Sequence, residues 1–151
     1  MSTIENTVSG SEQLVIFTLS DEDYALPIAA IKEVIRYVKP RRVASSDHRM
    51  SGVITLRGDI VPIADLSMAL GVGPDSGEDA KIVIVETATG IAGIVVDAVE
   101  EVLTVDGGQI DTETAVDRQS MRGFAKIGER LVVLLDAESL LHGIGSSPEY
   151  E

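Results

Sequence analysis

Cysteine is absent from this chain, so there is no disulfide, no thiol nucleophile and no thiolate metal site. Tryptophan is absent too, and aromatics make up only 3 % of the sequence against 44 % hydrophobic residues overall. The core must therefore be assembled from Val, Ile, Leu and Ala, and such β-branched richness favours strands. No apolar run reaches the roughly 18 residues needed to span a bilayer as a helix. The opening residues MSTIENTVSGSEQ lack the apolar stretch of a signal peptide. These absences predict a cytoplasmic protein without direct membrane insertion. Basic residues are scarce: 12 Lys and Arg against 25 Asp and Glu, a formal net charge of −13. That field repels phosphate backbones, so nucleic acid is not an expected partner.

Enzyme signatures are missing as well. The sequence has no Walker A loop, no dinucleotide fingerprint and no G-x-S-x-G elbow. His48 and His142 lie far apart and have no neighbours at ligand spacing, so no zinc site is expected. Asp106, Asp111, Glu113 and Asp117 lack the spacing and central glycine of a calcium loop. Asp59 and Asp65 could be paired carboxylates of a small acid/base hydrolase, but a turn residue and a helix N-cap explain them without chemistry. No cofactor is implied.

What is present is a hairpin and its echo. Gly52 to Asp65 reads GVITLRGDIVPIAD, two β-branched runs broken at Arg57-Gly58, as in a β-hairpin. Pro62 predicts an edge strand or a bulge there, because it donates no ladder hydrogen bond. Asp65 suits a helix N-cap over the Leu66–Leu70 stretch. Gly123 to Asp136 reads GFAKIGERLVVLLD, and Gly52 aligns with Gly123 and Asp65 with Asp136 at a common offset of 71 residues. Leu26 to Ile35 resembles Ile94 to Leu103 at an offset of 68. Two related halves organise the chain.

At 151 residues the chain can bury one ordinary core or two small coupled ones. The expected organisation is a flexible N-terminus over 1–12, a domain over 13–143 and a flexible tail over 144–151. Within the domain, a first subdomain covers about 13–71, a linker 72–80 and a second subdomain about 81–143. Strands are predicted over Leu14–Leu19, Tyr24–Leu26, Glu33–Val38, Lys81–Glu86, Ile91–Val96 and Val102–Val105, besides the two hairpins. Helical turns are predicted at Ile28–Ile31 and Asp97–Glu100, a loop over Asp106–Asp117 and a terminal helix over Asp136–Leu141. Short strands separated by turn signals indicate an all-β barrel or sandwich with a few short helices.

Ile28, Ile31 and Val34 recur at three-residue intervals, with Val15 on a preceding strand and Val96, Val99 and Val102 as the repeat's counterparts. They read either as core or as the walls of a groove for an amphipathic partner helix. Arg57 in a turn and Glu33 beside the apolar residues invite a charge pair that fixes the hairpin against that groove. A solvated turn arginine is the alternative. The densest basic cluster, Arg41, Arg42, His48 and Arg49, reads as a surface loop.

Together these stretches resemble the CheW-like coupling proteins of bacterial chemotaxis. Gly52 to Ile63 is similar to the family's signature hairpin, departing from it at Thr55, where Asn is usual. Gly93 to Val99 and Gly123 to Asp136 also match, and the resemblance runs from about Gln13 to Gly143. It implies two SH3-like five-stranded β-barrels packed side by side and a non-catalytic adaptor. The implied partners are the histidine kinase CheA, through its regulatory domain, and the cytoplasmic tips of methyl-accepting chemoreceptors. By position, the receptor groove would comprise Val15, Ile28, Ile31, Glu33, Val34, Val96 and Val99, with the Glu33–Arg57 pair and Gly58 shaping the hairpin. Kinase contacts would fall near Pro40, Arg41 and Val43. A CheW-like module serving a non-chemotaxis signalling array is the alternative.

Overall fold

A computed structural model describes residues 10–44, 47, 49–66, 79–112 and 121–144. The strands are β1 Ser11–Leu19, β2 Glu22–Pro27, β3 Ile31–Arg36, β4 Met50–Leu56, β5 Asp59–Ala64, β6 Lys81–Thr87, β7 Gly90–Val96, β8 Ala98–Asp106, β9 Ile110–Asp111, β10 Met121–Ile127 and β11 Arg130–Leu135. Single 3₁₀ turns at Ile28–Ala30 and Gly107–Gln109 and the helix α1, Ala137–Leu141, complete the described elements. The fold is all-β, as expected, with two packed β subdomains.

The strands form two sheets, ordered β3-β6-β7-β5-β4 and β8-β1-β2-β11-β10-β9. Replacing β3, β6, β7, β5 and β4 by β8, β1, β2, β11 and β10 turns the first order into the second. The repeat is therefore real in three dimensions, but each sheet mixes strands from both halves of the sequence. This corrects the expected division into 13–71 and 81–143. The first two strands of each half leave their own half and pair with the other one. Pairing of β1 with β8 and of β6 with β3 enforces the exchange.

Three apolar cores result. Leu14, Ile16, Ala25, Ala125, Val132 and Leu134 fill one subdomain, and Ile54, Val61, Ile63, Ile82 and Ile84 fill the other. Leu14 and Ile16 match Ile82 and Ile84 at the 68-residue offset, and Val132 and Leu134 match Val61 and Ile63 at the 71-residue offset. The third core lies between the sheets. It joins Phe17, Tyr24 and Leu26 of one sheet to Val83, Val85, Ile94 and Val96 of the other, with Leu140 and Leu141 of α1. Phe17 and Tyr24 stack at 6.3 Å between ring centroids. Strands β1 and β6 are buried on both faces, which is why their sequences are continuously apolar rather than alternating.

Each subdomain is closed by the chain that follows its first strand. After β3, Arg41 exchanges backbone hydrogen bonds of 2.8 and 2.9 Å with Val53 of β4. After β8, β9 pairs with β10, Asp111 opposite Phe124. A Cβ at Gly52 would lie 2.4 Å from the Arg41 carbonyl oxygen, and one at Gly123 2.4 Å from that of Asp111. Only glycine lets the closing strand approach so closely.

Several local expectations are corrected. Ser11 and Glu12, expected in a flexible N-terminus, are part of β1, paired with Asp106 and Val105. Bidentate hydrogen bonds of 2.7 and 3.0 Å from Arg122 hold Glu12. Ala98–Glu100, expected in a helical turn, begins β8, because β1 offers it a strand partner. The expected loop after Asp106 contains a 3₁₀ turn and β9 before it leaves the described residues. Pro62 sits in an interior strand, between β4 and β7. Its partner Val53 directs its own N–H and C=O to Arg41, so Pro62 occupies a non-hydrogen-bonded pair and removes no bond from the β4–β5 ladder. The bulge lies opposite, at Met50/Gly52. The expected helix after Asp65 lies mostly outside the described residues, as do His48 and most of the 72–80 linker. Its counterpart α1 forms as predicted, with the Asp136 carboxylate accepting from the N–H groups of Glu138 and Ser139.

Candidate partner-binding surface

The three-residue spacing of Ile28, Ile31 and Val34 is not helical in origin. Ile28 lies on the 3₁₀ turn that carries the chain from one sheet to the other. Ile31 and Val34 lie in β3, where an odd separation would normally send them to opposite faces. A bulge between Ile31 and Glu33 cancels that alternation: Ile31 pairs with Val85 and Val34 with Val83, two residues of one face. The other subdomain repeats the device. A bulge sets Val99 opposite Phe17 and Val102 opposite Val15.

Ile31 and Val99 are half-buried and pack against the core between the sheets. Ile28 and Val34, 40 % and 39 % exposed, and Val102 leave apolar surface in solvent. Val15 and Val96 belong elsewhere. Both are buried, Val15 because β2 and β8 flank it on each side, Val96 because it ends β7 inside the shared core. Neither therefore offers side-chain surface to a partner, as the expected groove required of them.

The bulge also turns Glu33 to the face opposite Ile31, toward the β4–β5 hairpin. Arg57 and Gly58 both have positive φ, 52° and 87°, as a two-residue type I′ turn requires. That conformation is costly for a residue with a Cβ. From it the Arg57 Nη1 donates to Glu33 Oε2. This hydrogen bond, then the charge of Glu33, raises the Arg57 pKa above its ordinary value. The predicted pair forms, but at the surface: the Arg57 side chain is 67 % exposed and that of Glu33 24 %.

The alternative reading of Asp59 and Asp65 as paired carboxylates is not met. Asp59 begins the six-residue β5 and Asp65 directly follows it, so their backbones stand roughly 20 Å apart at ~3.3 Å per residue. Among the described residues no group of three or more His, Asp or Glu is placed to hold a metal ion. An open cavity of about 320 Å³ beside the crossover is rimmed by Pro27, Ala30, Asp136, Glu138 and the Glu12–Arg122 ion pair, with no nucleophile–base pair.

Residues 13–144 match the CheW-like domain family. The chain belongs to that family. It is 32 % identical over 135 residues to the chemotaxis protein CheW of Klebsiella aerogenes, covering 86 % of this chain and 81 % of that one. The probable chemotaxis protein CheW of Rhizobium etli is 29 % identical, with 91 % and 92 % covered. The crystal structure of the scaffolding protein TtCheW from Thermoanaerobacter tengcongensis superposes with a TM-score of 0.82 at 30 % identity, covering 91 % and 92 % of the two chains.

Two features of this CheW-like domain escape the sequence reading. Ile60 and Leu131, 72 % and 58 % exposed, are equivalent at the 71-residue offset and stand outward on both hairpins. Alternation along each strand, with the same apolar type at the outward position of both copies, was the available signal. The second is a further pair at the other hairpin. Arg130 donates to Glu101 at 2.5 Å and to Asp23 at 3.3 Å. Glu101 is the 68-residue counterpart of Glu33, so the repeat itself pointed to it. No helix among the described residues is long and apolar enough to cross a membrane.

Proposed function

We propose that this chain is a non-catalytic adaptor that couples methyl-accepting chemoreceptors to the histidine kinase CheA, and that it works at receptor arrays on the membrane. The observation that carries the reading is the solvent-facing apolar set Ile28, Val34 and Val102 at the margin of the inter-sheet core, with Ile31 and Val99 half-buried behind it. A receptor-tip helix would bury these side chains, with Glu33 and Arg57 at its edge. The kinase regulatory domain would contact Pro40, Arg41 and Val43 on the strand that closes the first barrel. The relatives' names as chemotaxis and scaffolding proteins support the same role.

The test is a paired pull-down against a receptor-tip fragment and the kinase regulatory domain. Val34→Asp adds a charge that a helix partner would have to desolvate, at a cost of several kcal/mol. Because Val34 is exposed, the variant folds normally. Receptor binding should be lost and kinase binding kept. Unchanged receptor binding with an unchanged thermal melt would remove Val34 from the groove.

A further inference from the structure

The segment Arg36–Val43, RYVKPRRV, carries four of the chain's 12 basic residues and no acidic one. Every residue in it except Pro40 is exposed, including the apolar Tyr37, Val38 and Val43. None of Arg36, Lys39, Arg41 and Arg42 enters an ion pair among the described residues. The segment is anchored at both ends. Arg36 pairs with Lys81 in the β3–β6 ladder, Arg41 is hydrogen-bonded to Val53, and the missing Cβ of Gly52 lets it lie against β4. The equivalent closing segment of the other subdomain, Asp106–Asp111, has acidic ends and no basic residue. Both segments lie over a cradle glycine, yet their charges are opposite, so the cationic strip is not a requirement of barrel closure.

We infer that Arg36–Val43 is a docking strip for an acidic protein segment with interspersed apolar residues. This deepens, and rests on, the reading of Pro40, Arg41 and Val43 as a partner contact. Unmatched cations fit carboxylates, and Tyr37, Val38 and Val43 between them fit apolar side chains. A polyphosphate chain or an anionic membrane fits less well. The strip is about 23 Å long, at ~3.3 Å per residue, and beyond it the chain's excess of acidic residues, 25 against 12 basic overall, repels any anion longer than the strip.

The test titrates the full chain with a fluorescent synthetic peptide of glutamates interspersed with leucines. A lysine–leucine peptide, a single-stranded oligonucleotide and phosphatidylglycerol vesicles are the comparisons. The acidic peptide should bind, more weakly as salt rises, and the double variant Lys39→Glu/Arg42→Glu should bind it at least about tenfold more weakly with an unchanged melt and sedimentation mass. No peptide binding, binding indifferent to charge reversal, or tighter binding of oligonucleotide or vesicles overturns the inference. So does a mass that changes with charge reversal, which would make a second copy the occupant. The kinase regulatory domain separates the two readings. Kinase binding that ignores the charge reversal overturns the docking strip alone. Peptide binding without any kinase binding overturns the adaptor reading and leaves the strip standing.

Discussion

The two subdomains share a strand order, cradle glycines, bulges and a hairpin arginine–glutamate pair each, yet they differ at two solvent-facing places, the hairpin turn and the closing segment. The β4–β5 turn places Arg57 in the left-handed region, φ 52°, where the β10–β11 turn has Gly128, φ 63°. The closing strand is cationic on one side and acidic on the other. What the copies retained is what closing a small barrel demands: a glycine under the closing strand, a bulge in the first strand and alternating aliphatic layers. The turn and the closing segment, where they diverged, are not fixed by that demand. The difference separates fold from function inside one molecule, because each copy is a control for the other.

The largest expected effect tests whether the copies fold as one. Phe17→Ala empties the core between the sheets and should cost about 3–5 kcal/mol. Since strands from both halves build both sheets, melting should remain a single transition. Leu134→Ala and Ile63→Ala, in the equivalent private cores, should cost about 2–5 kcal/mol each and resemble one another. A Phe17→Ala protein that melts in two steps, with one sheet surviving by hydrogen exchange, would show that the subdomains are independent.

Next comes the cradle. Gly52→Ala and Gly123→Ala both drive a Cβ into a backbone carbonyl oxygen, and each should lose about 1–3 kcal/mol as the closing strand is displaced. Chemical denaturation of the two variants measures the equivalence. A Gly52→Ala loss well below that of Gly123→Ala would mean that the Arg41 bridge yields where β9 does not.

The same comparison explains how much of the molecule was legible in the sequence. The hairpins, the repeat and the all-β class follow from local pattern, and those were readable. The exchange of strands was not, because the repeat states which segments are alike and leaves open which copy each one pairs with. The inter-sheet core also hides behind the pattern: Val15 and Val96 look like groove residues until burial on both faces is known. The bulges account for a spacing that the sequence alone leaves unexplained. Ile31 and Val34 at three-residue spacing resemble a helical turn, whereas one inserted residue in a strand produces the same facing. The Glu33–Arg57 pair was found because charge beside apolar residues is unusual, and its exposure depends on tertiary placement that no spacing reports.

A smaller effect separates strain from recognition. Gly128→Ala puts a Cβ on a left-handed residue and should cost about 1–2 kcal/mol. Arg57→Gly does the reverse. It relieves the left-handed strain and removes the bond to Glu33, so the melting temperature should hold steady or rise while receptor-fragment affinity falls. A clear drop in melting temperature for Arg57→Gly would make the arginine a structural brace rather than a retained contact.

The smallest effect concerns the two ion pairs as pairs. Arg130 is 36 % exposed and meets two carboxylates, whereas the 67 % exposed Arg57 meets one. Surface pairs contribute little to stability, and water screens the more exposed one further. A double-mutant cycle on unfolding should therefore find a smaller coupling for Glu33/Arg57 than for Glu101/Arg130, with both fading between roughly 0.1 and 1 M salt as the screening length shortens. Run on receptor-fragment affinity, the order should invert. If Arg57 holds Glu33 at the edge of the partner surface, as proposed, the two single losses there should add to more than the double loss. Glu101/Arg130, on the other hairpin, should be additive. If the Glu33/Arg57 coupling in stability equals or exceeds that of Glu101/Arg130, or if affinity is additive at both pairs, the two hairpins are equivalent after all. The strained arginine would then have no role that its glycine counterpart lacks.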